Sequence, residues 1–175
     1  MSWREWRHFL EDITEEENMW RGRDVTYPGE RHKIVGWFPC PIAPFVSLLT
    51  EAMLAVPGPR FLDVGAGPGT KVALASKLFG LDAAGIELAP EMVVPGRGVE
   101  LGDARTYRGY GLADVVYMNR PILPPQSLER LVMQYMRPGA VLILVNAVTR
   151  PSDEGWHIVS EELAPGPVSG VWAKP

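Results

Sequence analysis

The stretch Phe61–Thr70, FLDVGAGPGT, decides how the rest of the chain is read. Arg60 to Val64 has the character of a short strand. Gly65, Gly67 and Gly69 follow at alternate positions, and KVALASKLFG (71–80) then reads as a helix stopped by Gly80. Glycine reaches positive φ without a Cβ penalty and lets a ligand lie against the main chain, but it weakens ordered structure through its entropy. A tight strand-to-helix turn is one reason for three glycines here, and a ligand loop is the other. The flanking sequence discriminates between them.

Downstream, strands and helices alternate. DAAGIEL (82–88), GVEL (98–101), ADVVYM (113–118) and the apolar run within RPGAVLILVNAV (137–148) read as strands. PEMVV (90–94) reads as a short helix and PPQSLERLVMQYM (124–136) as a longer one, its buried side carrying Leu128, Leu131, Val132, Tyr135 and Met136. Near-continuous apolar strands belong to parallel sheets buried on both faces. WHIVS (156–160) and VSGVWA (168–173) are expected to pair antiparallel through APGP (164–167). Upstream, residues 2–20 have helical periodicity, with Ser2 and Glu5 spaced as a capping box and Glu15, Glu16 and Glu17 expected on a solvated face. A mixed stretch (21–41) leads to a second amphipathic helix ended by Pro57. The expected fold is α/β: a doubly wound, Rossmann-like seven-stranded sheet, mostly parallel, with an antiparallel C-terminal hairpin and N-terminal helices. It is expected to be one domain over 1–175, with 1–59 as a helical cap or lid and 60–175 as the core.

Composition narrows the function. With 175 residues, 46% of them hydrophobic, the chain can bury its own core. A formal charge of −4 gives no basic footprint and disfavours nucleic acid as a partner. No apolar run reaches the length of a membrane span, and the first eighteen residues carry no signal-type apolar segment, so a cytoplasmic location is expected. Cys40 stands alone, which excludes internal disulfides, and His8, His32 and His157 have no metal-ligand spacing.

In open α/β sheets, ligands bind beyond the carboxyl ends of the strands. Those ends carry Asp63 with the glycine turn, then Glu87, Asp103 and Asn119. This set resembles the class I S-adenosylmethionine-dependent methyltransferases from about Arg60 to Ala147, and DVGAGPG matches the family's first motif in full. The resemblance implies that Gly65, Ala66, Gly67 and Gly69 form the loop against the methionine part of S-adenosylmethionine, and that Asp63 orders that loop. It implies that Glu87 accepts both ribose hydroxyls, that Leu88 lies on the adenine, and that Asp103 and the Ala104 N–H read the adenine edge. A carboxylate suits the ribose because it is acceptor-only and can take two donors at once. As a strand-end acid facing an open cleft, Glu87 is expected to stabilise the ligand-free fold little.

A dinucleotide oxidoreductase would have a third glycine where Thr70 stands, and a phosphate loop would need Gly-Lys-Ser/Thr, which is missing. Two departures from the family stand out. The helix between the last two parallel strands is replaced by TRPSDEG (149–155), and Asn119 is followed by Arg120, Pro121 and Ile122 rather than the Pro-Pro-aromatic of amino-group methylases. The resemblance thus implies methyl transfer to a small-molecule or protein acceptor, with Asn119 as the residue that orients it. Tyr27, His32 and Trp37 are candidates for a lid lining, and no metal is implied. The alternative is a non-catalytic or regulatory S-adenosylmethionine-binding module acting through a partner.

Overall fold

The structure, a computed structural model, describes residues 1–26, 34–36, 38–119, 125–147, 149–161 and 169–175. Helix α1 (Trp3–Trp20) is followed by β1 (Asp24–Thr26) and β2 (Ile34–Gly36), an antiparallel pair within the stretch whose sequence showed little periodicity. Helix α2 (Ile42–Ala55) then leads into β3 (Arg60–Val64), α3 (Thr70–Phe79), β4 (Asp82–Glu87), β5 (Val99–Leu101) and β6 (Val115–Asn119). The chain finishes with α4 (Pro125–Tyr135), β7 (Val141–Val145), β8 (His157–Glu161) and β9 (Gly170–Ala173).

Local chemistry sets the helix ends. Ser2 Oγ accepts from the Glu5 N–H at 3.4 Å while the Ser2 N–H donates to Glu5 Oε2 at 2.5 Å, the expected capping box. Gly80 closes α3 in the left-handed region, its N–H reaching the carbonyls of Ala75 and Ser76. Lys174 closes α4 from outside, donating from Nζ to the carbonyls of Met133 (2.7 Å) and Met136 (2.6 Å), where a cation suits the negative helix end.

Seven strands form one sheet in the order β5-β4-β3-β6-β7-β9-β8, with β9 antiparallel to both neighbours and the other pairings parallel. Strand order runs outward in opposite directions from β3 and β6, so the switch point lies between their carboxyl ends. Alternate residues feed two cores. Phe61, Val115, Tyr117 and Ile143 pack with α2, where Phe45 meets the rings of Phe61 and Tyr117 edge-on at 6.1 and 5.1 Å. Leu62, Val64, Val116, Met118, Leu142 and Trp172 pack with Leu128 and Val132 of α4 and with Met136 just past its end.

Several expectations change in detail. The segment 90–94 makes only a single 3₁₀ turn, Pro90–Met92, and one more such turn, Pro151–Glu154, replaces a helix between β7 and β8. On α4, Met133 is buried while Tyr135 is exposed. Tyr27, His32, Trp37, Arg120, Pro121, Ile122 and the 164–167 connection lie outside the described residues.

The largest correction concerns the acidic run on α1. Glu15 is solvated, but Glu16 pairs with Arg97 at 2.6 Å, and Glu17 is buried. Glu17 Oε1 accepts from Thr70 Oγ1 at 3.0 Å and forms a close ion pair with Lys71 Nζ, itself buried and set over the Phe45 ring. Glu17 follows Ile13 by four residues, about one helical turn, which sets both on the one buried face of α1. The pair latches α1 to the first turn of α3.

Breaking a buried pair leaves an uncompensated charge, which typically costs about 3–5 kcal/mol. Because Asp63 lies close enough to Lys71 to take up its charge once Glu17 is gone, Glu17→Ala is expected at the low end, about 3 kcal/mol, by urea unfolding. The double variant Glu17→Leu, Lys71→Met should recover most of it. A loss within about 0.5 kcal/mol, typical of surface substitutions, would mean the latch does not form in solution.

Candidate functional site

The turn between β3 and α3 places backbone where the strand ends converge. Gly65 sits at φ 79°, and a Cβ on it would meet nothing within 4 Å, so open space lies beside exposed main chain. The opposite holds at Gly69, also at φ 79°, where a Cβ would press on Val99 Cγ2 at 2.7 Å. One glycine thus leaves room outside and the other permits close packing inside. Ala66 is buried against Gly85 of β4, whose own Cβ would fall 2.5 Å from that of Ala66. Gly85, inside the strand 82–87, is a packing requirement that the sequence reading did not single out.

Glu87 holds this turn. The Gly65 and Ala66 N–H groups donate to the Ile86 carbonyl at 2.9 and 3.1 Å. The Gly67 N–H donates to Glu87 Oε2 and the Ala89 N–H to Oε1, both at 2.8 Å. Only 3% of Glu87 is exposed, so the expected open-cleft acid is instead a buried strut of the ligand-free fold. Burial pushes its carboxyl above the usual range, against the pull of the Ala89 and Gly67 N–H groups. The Gly67 and Ala89 N–H groups, with the Leu88 N–H also drawn to it, fill two to three of the roughly four lone-pair sites of this carboxylate, which leaves acceptor capacity for a hydroxyl donor.

Asp63, also buried, takes no hydrogen bond among the described residues. Burial raises its carboxyl to about 8, with Lys71 lowering it and Glu87 raising it further. Tyr117 is its register partner on β6, and the buried Tyr117 hydroxyl lies beside the Cys40 thiol. Cys40 is buried as expected, its thiol raised by burial.

Asp103 lies past β5, where the Gly102 N–H donates to the Glu87 carbonyl at 2.8 Å. Its carboxylate is gripped by Arg105, with Nη2 to Oδ2 at 2.7 Å and Nε to Oδ1 at 2.9 Å, and those bonds hold its pKa below the usual range. The Ala104 carbonyl accepts from the Tyr110 hydroxyl at 2.6 Å, while the Ala104 N–H has no acceptor among the described residues. Leu88 is half-buried beside Glu87.

Asn119 ends β6 at the level of Gly65, since each follows a residue of the paired Val64 and Met118. Its Nδ2 donates to the Phe38 carbonyl at 3.0 Å, and its Oδ1 accepts from Asn146 Nδ2 at 3.1 Å. Asn146 was missed in the sequence, although it follows the apolar strand 141–145 as Asn119 follows its own. The structure thus gathers Asp63, Gly65, Glu87, Leu88, Asp103, Ala104 and Asn119 along the carboxyl edge, with Ala66, Gly67 and Gly69 packed beneath. Above Glu87, Val25 and Trp20 pack on Ala89 and Met92, so the N-terminal stretch covers this edge. No group of His, Cys, Asp and Glu among the described residues could hold a metal ion, and none of the described helices is long and apolar enough to cross a membrane.

This strand order, with its antiparallel next-to-last position, is the fold of S-adenosylmethionine-dependent methyltransferases. An RNA methyltransferase from Salinibacter ruber, solved with S-adenosyl-L-homocysteine, is 24% identical over 61% of this chain and 76% of its own, with a TM-score of 0.53. A mutant of MtNAS in complex with S-adenosylmethionine is 19% identical over 75% of this chain and 62% of its own, at 0.56. Streptomyces venezuelae DesVI is 22% identical over 63% of this chain and 52% of its own, at 0.50. This chain therefore spans about half to three quarters of the length of these proteins. No family model and no curated protein sequence matches it.

The elevated Asp63 carboxyl has a pH signature. An unfolded Asp ionises near pH ~4, so between there and about 8 the native protein holds a proton that the unfolded chain has lost. The stability linked to that proton is complete at the acid end and is lost as pH rises towards 8. Asp63→Asn, which never ionises, should therefore gain in melting temperature over wild type as pH rises, by several degrees, and level off above about pH 8. A difference independent of pH would show that Asp63 is ionised in the native protein throughout.

Proposed function

We propose that this chain is an S-adenosylmethionine-dependent methyltransferase, with residues 60–175 holding the cofactor and residues 1–59 covering it. The observation that carries the reading is the junction of Glu87 with the glycine turn. A buried carboxylate with spare acceptor sites stands at the end of β4, hydrogen-bonded to the main chain that leaves open space at Gly65. Few structural roles require both features at one switch point.

The residues divide the cofactor among them. Gly65 gives the amino-acid end a backbone to lie on. Asp63, buried and with no hydrogen bond among the described residues, supplies a carboxylate that a cationic ammonium group would let ionise. Glu87 accepts the ribose hydroxyls with its remaining lone pairs. Leu88 covers the adenine, the Ala104 N–H donates to a ring nitrogen, and Asp103 takes the exocyclic amine in competition with Arg105. When bound, S-adenosylmethionine supplies an electrophilic methyl group, so the protein's part is alignment more than proton transfer. Alignment of two reactants is worth up to roughly 7–11 kcal/mol. Asn119 does this on the acceptor side, and the acceptor is a small molecule or a protein.

S-adenosylhomocysteine should raise the melting temperature by linkage, and NAD and ATP far less. Glu87→Ala should cost about 2–3 kcal/mol of that binding, or about 30- to 150-fold in affinity by calorimetry. The same substitution should lower the ligand-free melting temperature, because it releases the Gly67 and Ala89 N–H groups. With cell-extract fractions as acceptors, the spent cofactor should be S-adenosylhomocysteine. Stabilisation by NAD alone would overturn the cofactor. Release of methylthioadenosine would keep the cofactor but overturn methyl transfer, because a different arm of the sulfonium would have moved.

A further inference from the structure

At the carboxyl ends of β6 and β7, two amide side chains form a chain of hydrogen bonds whose direction chemistry dictates. The Phe38 carbonyl can only accept, so the Asn119 atom 3.0 Å from it is the Nδ2 donor. That leaves Oδ1 on the other side, and Asn146, 3.1 Å away, must present its own Nδ2 to it. Asn146 is itself fixed. Its backbone N–H donates to Ser169 Oγ at 3.1 Å, and at φ 55° it is the one non-glycine residue in the left-handed region among the described residues. Asn tolerates that region better than most side chains, but left-handed backbone at a strand end commonly marks a functional site.

We propose that Asn146 is a positioning residue for the acceptor site: it holds the Asn119 amide in one orientation, so that Asn119 Oδ1, with one lone pair unused, faces the transferred methyl as a hydrogen-bond acceptor. This rests on the proposed function. It deepens that reading by naming the acceptor's chemistry. A group docked on an amide oxygen must bring an N–H or O–H. Neither amide ionises near neutrality, so the pair offers no base for a weakly acidic hydroxyl. The acceptor class that fits is a neutral amine, whose lone pair attacks while its N–H is held by Oδ1. The N–C bond forms as the C–S bond of the sulfonium breaks, the sulfur keeps that electron pair, and the surplus proton on nitrogen leaves to water.

The test uses sinefungin, an S-adenosylhomocysteine analogue that carries an amino group on carbon where the cofactor carries its methyl on sulfur. Calorimetry on the full chain compares it with S-adenosylhomocysteine for wild type, Asn146→Gly, Asn119→Ala and the double variant. Glycine keeps the left-handed backbone and removes only the amide. Asn146→Gly should lower sinefungin affinity about three- to tenfold relative to S-adenosylhomocysteine, the size of one hydrogen bond, and should add nothing in the Asn119→Ala background. A ratio unchanged in Asn146→Gly, or additive effects in the double variant, would overturn the proposal. Wild type that binds neither compound would overturn the cofactor reading instead. A second measurement needs no ligand: in Asn146→Asp the carboxylate cannot donate, so the NMR signals of the Asn119 side-chain NH₂ should shift strongly. Unmoved signals would also overturn the proposal.

Discussion

The Glu87 carboxylate is where the architecture of this edge is decided. It ties the glycine turn of one β-α unit to the exit of the next strand, through the Gly67 N–H and the Ala89 N–H. A carboxylate does this where an amide could not, since two N–H groups converge on it from opposite sides and only acceptor atoms can receive both. Burial opposes the charge, and the backbone donors repay part of that cost. If Glu87 takes the ribose as proposed, folding and ribose recognition share one side chain. In the proposed complex the hydroxyls would add to an acid already set in place, so little side-chain entropy would remain to be lost on binding.

Around Asp63 the charges do not balance. Glu17 and Asp63 stand near one buried cation, Lys71, and Glu17 holds it in direct contact. A second cation in this pocket would let both acids ionise together. The ammonium of an amino-acid ligand has that charge, and the open backbone at Gly65 lies two residues from Asp63. Hydrophobic packing does not explain a buried carboxylate that takes no hydrogen bond among the described residues, since removing its charge from water is costly. A cationic ligand group beside it would.

Much of this was legible in the sequence, because it is local. Strand periodicity, the glycine spacing and the acids at successive strand ends are each read within a few residues, and the doubly wound, mostly parallel sheet followed from them. What was not legible depends on contacts far apart in the chain. Glu17 looks like the third member of a solvated acidic run, and only the docking of α1 on Thr70 and Lys71, more than fifty residues away, buries it. Glu87 was placed at the right strand end with the wrong exposure, since nothing in GIELAP announces that Trp20 and Val25 will pack nearby. Asn146 could have been found. The rule that singled out Asn119, a polar residue ending an apolar strand, applies equally to LILVNA.

The same N-terminal stretch reaches both halves of the site. Glu17 contacts the start of α3, Glu16 reaches Arg97 beyond β4, Trp20 and Val25 pack beside Glu87, and the Phe38 carbonyl receives Asn119. These contacts fall on the cofactor edge first and the acceptor edge last, in chain order. One run of chain thus supplies contacts to both edges. In the proposed enzyme, this makes cofactor entry and the orientation of Asn119 two readings of one conformational equilibrium. In that reading, the carbonyl that holds the Asn119 amide and the residues that cover Glu87 belong to one run of chain, so closing the cover and setting the acceptor-side amide would go together.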